Sequence, residues 1–69
     1  MIILYTTHCP KCRVIETKLS KKGIAFETND NVDEMIKLGF KFAPVLYVDG
    51  QYLDFAQANN WINQQGGNQ

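Results

Sequence analysis

The sequence predicts one small α/β domain, a mixed four-stranded sheet in the order βαβ-α-ββα flanked by three helices. Three observations lead there. An unbroken apolar run opens the chain, helical and β-rich patterns then alternate within thirty residues, and Asp49-Gly50 marks a late hairpin. The 69 residues leave room for a single domain. A chain of this size buries only roughly 60% of the surface its unfolded form exposes, so the core must be modest.

The first strand is Met1-Ile2-Ile3-Leu4-Tyr5. It lacks polar alternation, as a strand covered on both faces does, and is expected at the centre of the sheet. No basic region precedes it and no cleavage site follows, so it reads as a strand rather than a signal peptide. After the turn-like Thr6-Thr7-His8, Pro10 suits the first position of a helix, where its missing N–H is not needed. Cys12, Ile15 and Leu19, with Val14 beside them, give that helix one apolar face over residues 10–22. Gly23 ends it after Lys21-Lys22.

Ile24-Ala25-Phe26-Glu27-Thr28 returns to strand composition and closes a βαβ unit, whose crossover should be right-handed. Asn31 is placed to cap a short second helix, with Glu34 completing a capping box. Val32, Met35 and Ile36 are expected as its buried face, and Gly39 as its end. Phe40-Lys41-Phe42-Ala43 then forms a loop, and Pro44 precedes a strand over residues 45–48. Asp49-Gly50 suits a type I′ turn into a return strand over residues 51–53. Asp54 caps the last helix, with Gln57 at the capping-box position and Phe55, Ala58, Trp61 and Ile62 facing inward. The domain is therefore expected over residues 1–63, with residues 64–69, all Gln, Gly and Asn, as a disordered tail.

Seven basic residues balance seven acidic ones. Nucleic acid and anionic membranes favour a basic excess, so neither is expected as a partner. No stretch approaches the ~20 apolar residues that a membrane span needs. The expected location is the cytoplasm, where thiols are kept reduced. There, two cysteines three residues apart point to redox catalysis or metal binding rather than to a structural staple.

Cys9-Pro10-Lys11-Cys12 falls where the first strand meets the first helix. A cysteine at the helix N-cap faces unpaired N–H groups and the positive end of the dipole, both of which favour its thiolate. Lys11 and Arg13 add positive charge nearby. Cys9 is accordingly expected to be exposed with a lowered pKa, and Cys12 to lie beside it on the same helix face, tucked under the helix. Cys9 would attack a substrate disulfide, and Cys12 would displace the reduced product. The competing use of Cys-x-x-Cys is zinc, which takes four protein ligands in structural sites. This chain offers two cysteines and His8, so a zinc site would be shared between two chains. His8 is otherwise expected to be solvated or to tune Cys9. Tyr5 is expected to pack with its hydroxyl outside, Trp61 to join the core, and Lys18, Lys21 and Lys22 to form a solvated helix end.

Tyr5-Thr6-Thr7-His8-Cys9-Pro10-Lys11-Cys12, followed by Ala43-Pro44-Val45 and the Asp49-Gly50 hairpin, resembles the glutaredoxin family over nearly the whole chain. The resemblance implies a thioredoxin-like fold and a dithiol–disulfide oxidoreductase. It implies that Pro44 is a cis-proline lying against the Cys9–Cys12 pair, and that the backbone of Ala43 pairs with a bound peptide or glutathione. Lys11, Lys41 and Phe42 would line the substrate groove, although Phe42 could instead fold back over the core. Several positions depart from the family. Lys11 replaces an aromatic residue, and Thr6 and Thr7 stand where a lysine is often found. Asp54-Phe55-Ala56-Gln57 replaces the glycine pair and acidic residue that hold glutathione, and its bulk should crowd such a site. Tyr52-Leu53-Asp54-Phe55 is more similar to the glutaredoxin-like redoxins associated with ribonucleotide reductase, which draw electrons from thioredoxin reductase. Their glycine and arginine-proline signature is absent, so glutathione remains the alternative donor. No bound cofactor is implied, the chain is expected as a monomer, and an iron–sulfur-carrying relative is the remaining binding-protein reading.

Overall fold

Seven elements follow in chain order: β1 (Ile2–Tyr5), α1 (Pro10–Lys21), β2 (Glu27–Asn29), α2 (Val32–Lys37), β3 (Val45–Val48), β4 (Gln51–Leu53) and α3 (Phe55–Gln64). They belong to a computed structural model that describes residues 1–65. The sheet order is β2-β1-β3-β4. β1 runs parallel to β2, with Ile3 opposite Glu27, and antiparallel to β3, with Leu4 opposite Leu46. β3 pairs antiparallel with β4 through a turn at Asp49 and Gly50, both at positive φ. The protein is thus a small α/β domain with a mixed four-stranded sheet and three helices, and β1 is one of its two interior strands.

Successive strand residues point to opposite faces, so β1 and β3 each serve two layers. Leu4 and Leu46 face α1 and α3, where they join Ile15, Leu19, Ala58 and Ile62 in a core that is at most 1% exposed. Ile24, Phe26, Phe55 and Trp61 close its edges. Tyr5 and Val45 face the other way and meet Met35 of α2, with Ile3, Phe40 and Tyr47 around them.

Both α1 and α2 end in the same hydrogen-bond pattern. Gly23 and Gly39 stand at φ +70 and +84, which only glycine adopts without cost, and the residue after each donates back five positions. Ile24 N–H reaches Leu19 O at 3.0 Å, and Phe40 N–H reaches Met35 O at 3.0 Å. This corrects the expected second strand. Ile24 spends its amide on closing α1, and the chain joins the sheet only at Glu27.

Three other expectations are corrected. Val14 is 42% exposed, because it lies off the stripe that Cys12, Ile15 and Leu19 bury. α2 has only six residues and buries Met35 alone, leaving Val32 and Ile36 at 53% and 64% exposed. Its capping box is half made: Asn31 Oδ1 accepts from Glu34 N–H, but Glu34 Oε1 accepts from Asn29 Nδ2. The α3 box has both arms, at 2.8 and 3.0 Å between Asp54 and Gln57. Gln64 is the last residue of α3, and Gln65 bonds back to Ile62 and Trp61. The rest of the expected tail, residues 66–69, lies outside the described residues. No helix among the described residues is long and apolar enough to cross a membrane.

Candidate functional site

The turn between β1 and α1 is fixed residue by residue. Thr6, at 4% exposed, ends the ladder with its N–H on Asn29 O at 3.0 Å. Its Oγ1 accepts from His8 N–H at 2.9 Å. That bond accompanies the left-handed conformation of His8, φ +62, which asparagine, aspartate and histidine tolerate better than most residues. The exposed His8 ring turns to Asp30, with Nε2 3.2 Å from Oδ2.

The chain then enters α1 with Cys9 as N-cap and Pro10 as the first helical residue. Cys9 is half-buried, and its Sγ accepts from Cys12 N–H at 3.2 Å, the position a capping oxygen usually fills. Cys12 is 1% exposed, one helical turn further on. Both are free thiols. Burial pushes the Cys12 thiol up, but hydrogen bonds from the Cys9 and Thr6 side chains and from the Thr7 and Cys9 backbone outweigh it, and it falls from 9.0 to about 7. Thr7 Oγ1 also approaches Cys12 Sγ, at 4.0 Å.

Cys9 opens onto a groove of about 340 Å³. Thr7 and Cys9 form one wall, Val32, Met35 and Ile36 of α2 a second, and residues 40–43 a third. Among the described residues, Lys41 is the one charged residue lining it. A second groove, about 270 Å³, lies beyond the same loop, between Phe40, Lys41 and Phe42 and the wall of Val45, Tyr52, Leu53, Asp54 and Gln57. The loop is therefore a ridge with a groove on either side. Its root is held by edge-on aromatic contacts: Phe40 lies 5.1 Å from Tyr5 and 5.4 Å from Tyr52, within the range where such pairs attract. Tyr47 adds to the cluster at 5.0 Å from Tyr52. Tyr5 is 6% exposed as a whole residue. Burial raises its phenol pKa, helped by Tyr52, Glu34 and Tyr47.

The structure brings Cys9, Phe42 and Ala43 to one groove and buries Cys12 behind it. Phe42 is 65% exposed, so it stands on the ridge and does not cover the core. Pro44 is buried, and the Ala43–Pro44 peptide is cis. Lys11 lies apart from both grooves, with its ammonium 5.4 Å from the centre of the Phe55 ring. Among the described residues no three His, Cys, Asp or Glu side chains converge as a metal would need. Sequence reasoning missed Thr7 as a neighbour of Cys12, and it missed Val32, Met35 and Ile36 as a groove wall. The signal for the wall was there: a helix too short to bury two apolar residues a turn apart must show them to something. No protein-family model matches the chain, and no curated protein does either.

Proposed function

We propose that the protein is a glutaredoxin-type dithiol–disulfide oxidoreductase with a thioredoxin-like fold. The observation that carries this reading is the Cys9–Cys12 pair itself. One sulfur sits at a helix N-cap at the mouth of a groove, and the other is buried one turn behind it, with a backbone N–H between them. Cys9 Sγ bonds to one sulfur of the substrate disulfide, the substrate S–S bond breaks, and its other sulfur leaves as a thiolate that takes up a proton. Cys12 then bonds to Cys9 Sγ, the bond from Cys9 to the substrate breaks, and the departing thiolate takes up a proton. Two electrons leave the dithiol and two reduce the substrate.

The substrate that suits the groove is a protein disulfide flanked by apolar residues, because Val32, Ile36 and Phe42 line it and remain exposed. Electrons come from thioredoxin reductase rather than glutathione in this reading. What favours that choice is the stretch from Asp54 to Gln57: the Asp54 carboxylate and the Gln57 amide already take each other's backbone N–H groups. A carboxylate of glutathione would find those donors occupied. The resemblance to the redoxins makes ribonucleotide reductase a candidate partner and the cytoplasm the expected place of work. A zinc bridged between two chains is the competing reading, and a metal-free sample with two titratable thiols counts against it.

The test pairs two assays on one peptide disulfide, NADPH with thioredoxin reductase against glutathione with its own reductase. Turnover is expected in the first and lost in Cys9→Ser. Full activity in Cys9→Ser would overturn the assignment of the attacking sulfur. Turnover only with glutathione would overturn the choice of donor.

A further inference from the structure

The chain carries no net charge, but its charges are sorted along it. Residues 11–22 hold Lys11, Arg13, Lys18, Lys21 and Lys22 against Glu16 alone, and residues 27–34 hold four acids and no cation. The first stretch is α1 with its C-cap, and the second runs from β2 into α2. The neutral total hides a positive helix.

Placement on α1 concentrates that charge. Cys12, Ile15 and Leu19 face inward, and the opposite face turns to solvent. There Arg13, Val14, Thr17, Lys18 and Lys21 line a shallow groove of about 360 Å³, and Glu16 is not among them. Arg13, Thr17 and Lys21 follow one another at helical spacing, with Val14 and Lys18 in the next row. The row begins one turn behind Cys9, whose carbonyl accepts from Arg13 N–H at 3.0 Å. It extends about 12 Å to Lys21. Among the described residues none of these three cations forms an ion pair, and Lys18 Nζ meets an uncharged oxygen, Asn63 Oδ1, at 3.4 Å. The helix dipole favours Lys18 and Lys21 in the last turn, but it disfavours a cation near the start, where Arg13 stands. A face positive from end to end is complementary to a compact acidic surface. Nucleic acid suits it less, because an extended polyanion would also run against the acids of residues 27–34.

We propose that the outward face of α1 is a docking surface for an acidic face of the disulfide-bearing substrate protein, which it steers onto Cys9. This rests on the oxidoreductase reading for the identity of the partner, but not for the charge on the helix. The face acts before the chemistry. Opposite charges across an interface raise the rate of encounter, and salt weakens the effect. The groove beside Cys9 then takes the apolar flank of the disulfide, so the two features select the partner on different grounds.

The experiment uses two peptide disulfides that differ only in their tails, a run of glutamates in one and of glutamines in the other. The second-order rate at which the reduced protein opens each is measured at about 20 mM and about 0.5 M salt. Wild type is expected to favour the acidic peptide about tenfold at low salt and to lose the preference at high salt. Lys18→Gln/Lys21→Gln should cut the preference to about threefold or less, while Lys37→Glu, which removes the same net charge from α2, leaves it intact. Glutamine is a good helix former, so α1 is kept. No preference in wild type overturns the proposal, and so does an equal fall in both variants, which would assign it to net charge. A cysteine-free acidic peptide, followed by NMR, should shift the amide signals of residues 13–21 first. Shifts elsewhere alone overturn the proposal. A duplex oligonucleotide that moves those amides at lower concentration, or self-association through them at low salt, overturns the choice of partner. If wild type opens neither peptide, the oxidoreductase reading falls, and the cysteine-free peptide still decides for the α1 face.

Discussion

The two faces of the sheet are built to different standards. On the side of α1 and α3, Leu4, Ile15, Leu19, Leu46, Ala58 and Ile62 are at most 1% exposed. On the side of α2, the best-covered residues, Tyr5, Met35 and Val45, reach 6%, and Val32, Ile36 and Phe42 are more than half exposed. The cause is helix length. Helices of 12 and 10 residues cover the first face, and one of six covers the second. The same strands supply both, since Leu4 and Tyr5 are neighbours that point opposite ways. Burial on the closed side stabilises the fold, and thin cover on the open side leaves an apolar groove beside Cys9. Cys12 lies on α1 and reaches the site from the closed side.

That contrast can be broken by substitution, and the largest effect belongs to the closed side. Ile15→Ala removes a fully buried side chain and is expected to cost about 2–5 kcal/mol in urea unfolding. Equal losses from Ile15→Ala and Ile36→Ala would abolish the distinction. The junction between the sides is probed by pH. The Cys12 thiol is lowered from 9.0 to about 7, so the folded reduced protein favours the thiolate more than the unfolded chain does. This stabilisation is complete above about pH 9 and fades as pH falls through about 7. Melting temperatures of the reduced form should rise over that interval and stay flat in Cys12→Ala; a parallel rise in both would assign it to another group.

A smaller loss, about 1 kcal/mol, is expected for Asp54→Ala, which opens the capping box at the start of α3. The smallest change in stability should come from Ile36→Ser on the open side, within about 0.5 kcal/mol. Its effect appears instead as a raised KM for an apolar peptide disulfide, with kcat retained. A stability loss as large as that of Ile15→Ala would mean that Ile36 belongs to the core.

Much of this arrangement was legible in the sequence because local rules govern it. The i, i+3, i+7 spacing of Cys12, Ile15 and Leu19 marks the buried stripe of α1, and Asp54 with Gln57 spells out a cap whose two arms both form. Periodicity fails at α2. Val32, Met35 and Ile36 have the spacing of a core face, and only the short helix and its seat over the sheet decide that Met35 alone is covered. The strand propensity of Ile24 and Phe26 likewise loses to the closing of α1, which takes the Ile24 amide. The ring of Tyr5, Phe40, Tyr47 and Tyr52 carries no signal along the chain, since it depends on the register of β1, β3 and β4. The position of Cys9 at a helix start was readable from Pro10; the Thr7 hydroxyl near Cys12 was not, because it depends on the path of the turn between β1 and α1.

The division of the aromatic residues has an optical consequence. Trp61 is the single tryptophan and packs at the edge of the closed core, while Tyr5, Tyr47 and Tyr52, all the tyrosines there are, gather on the open side. Each side of the sheet thus carries its own intrinsic chromophore. Tryptophan emission follows loss of the closed core, tyrosine absorbance follows occupation of the groove that Tyr52 lines, and docking there can be separated from unfolding without a label being attached.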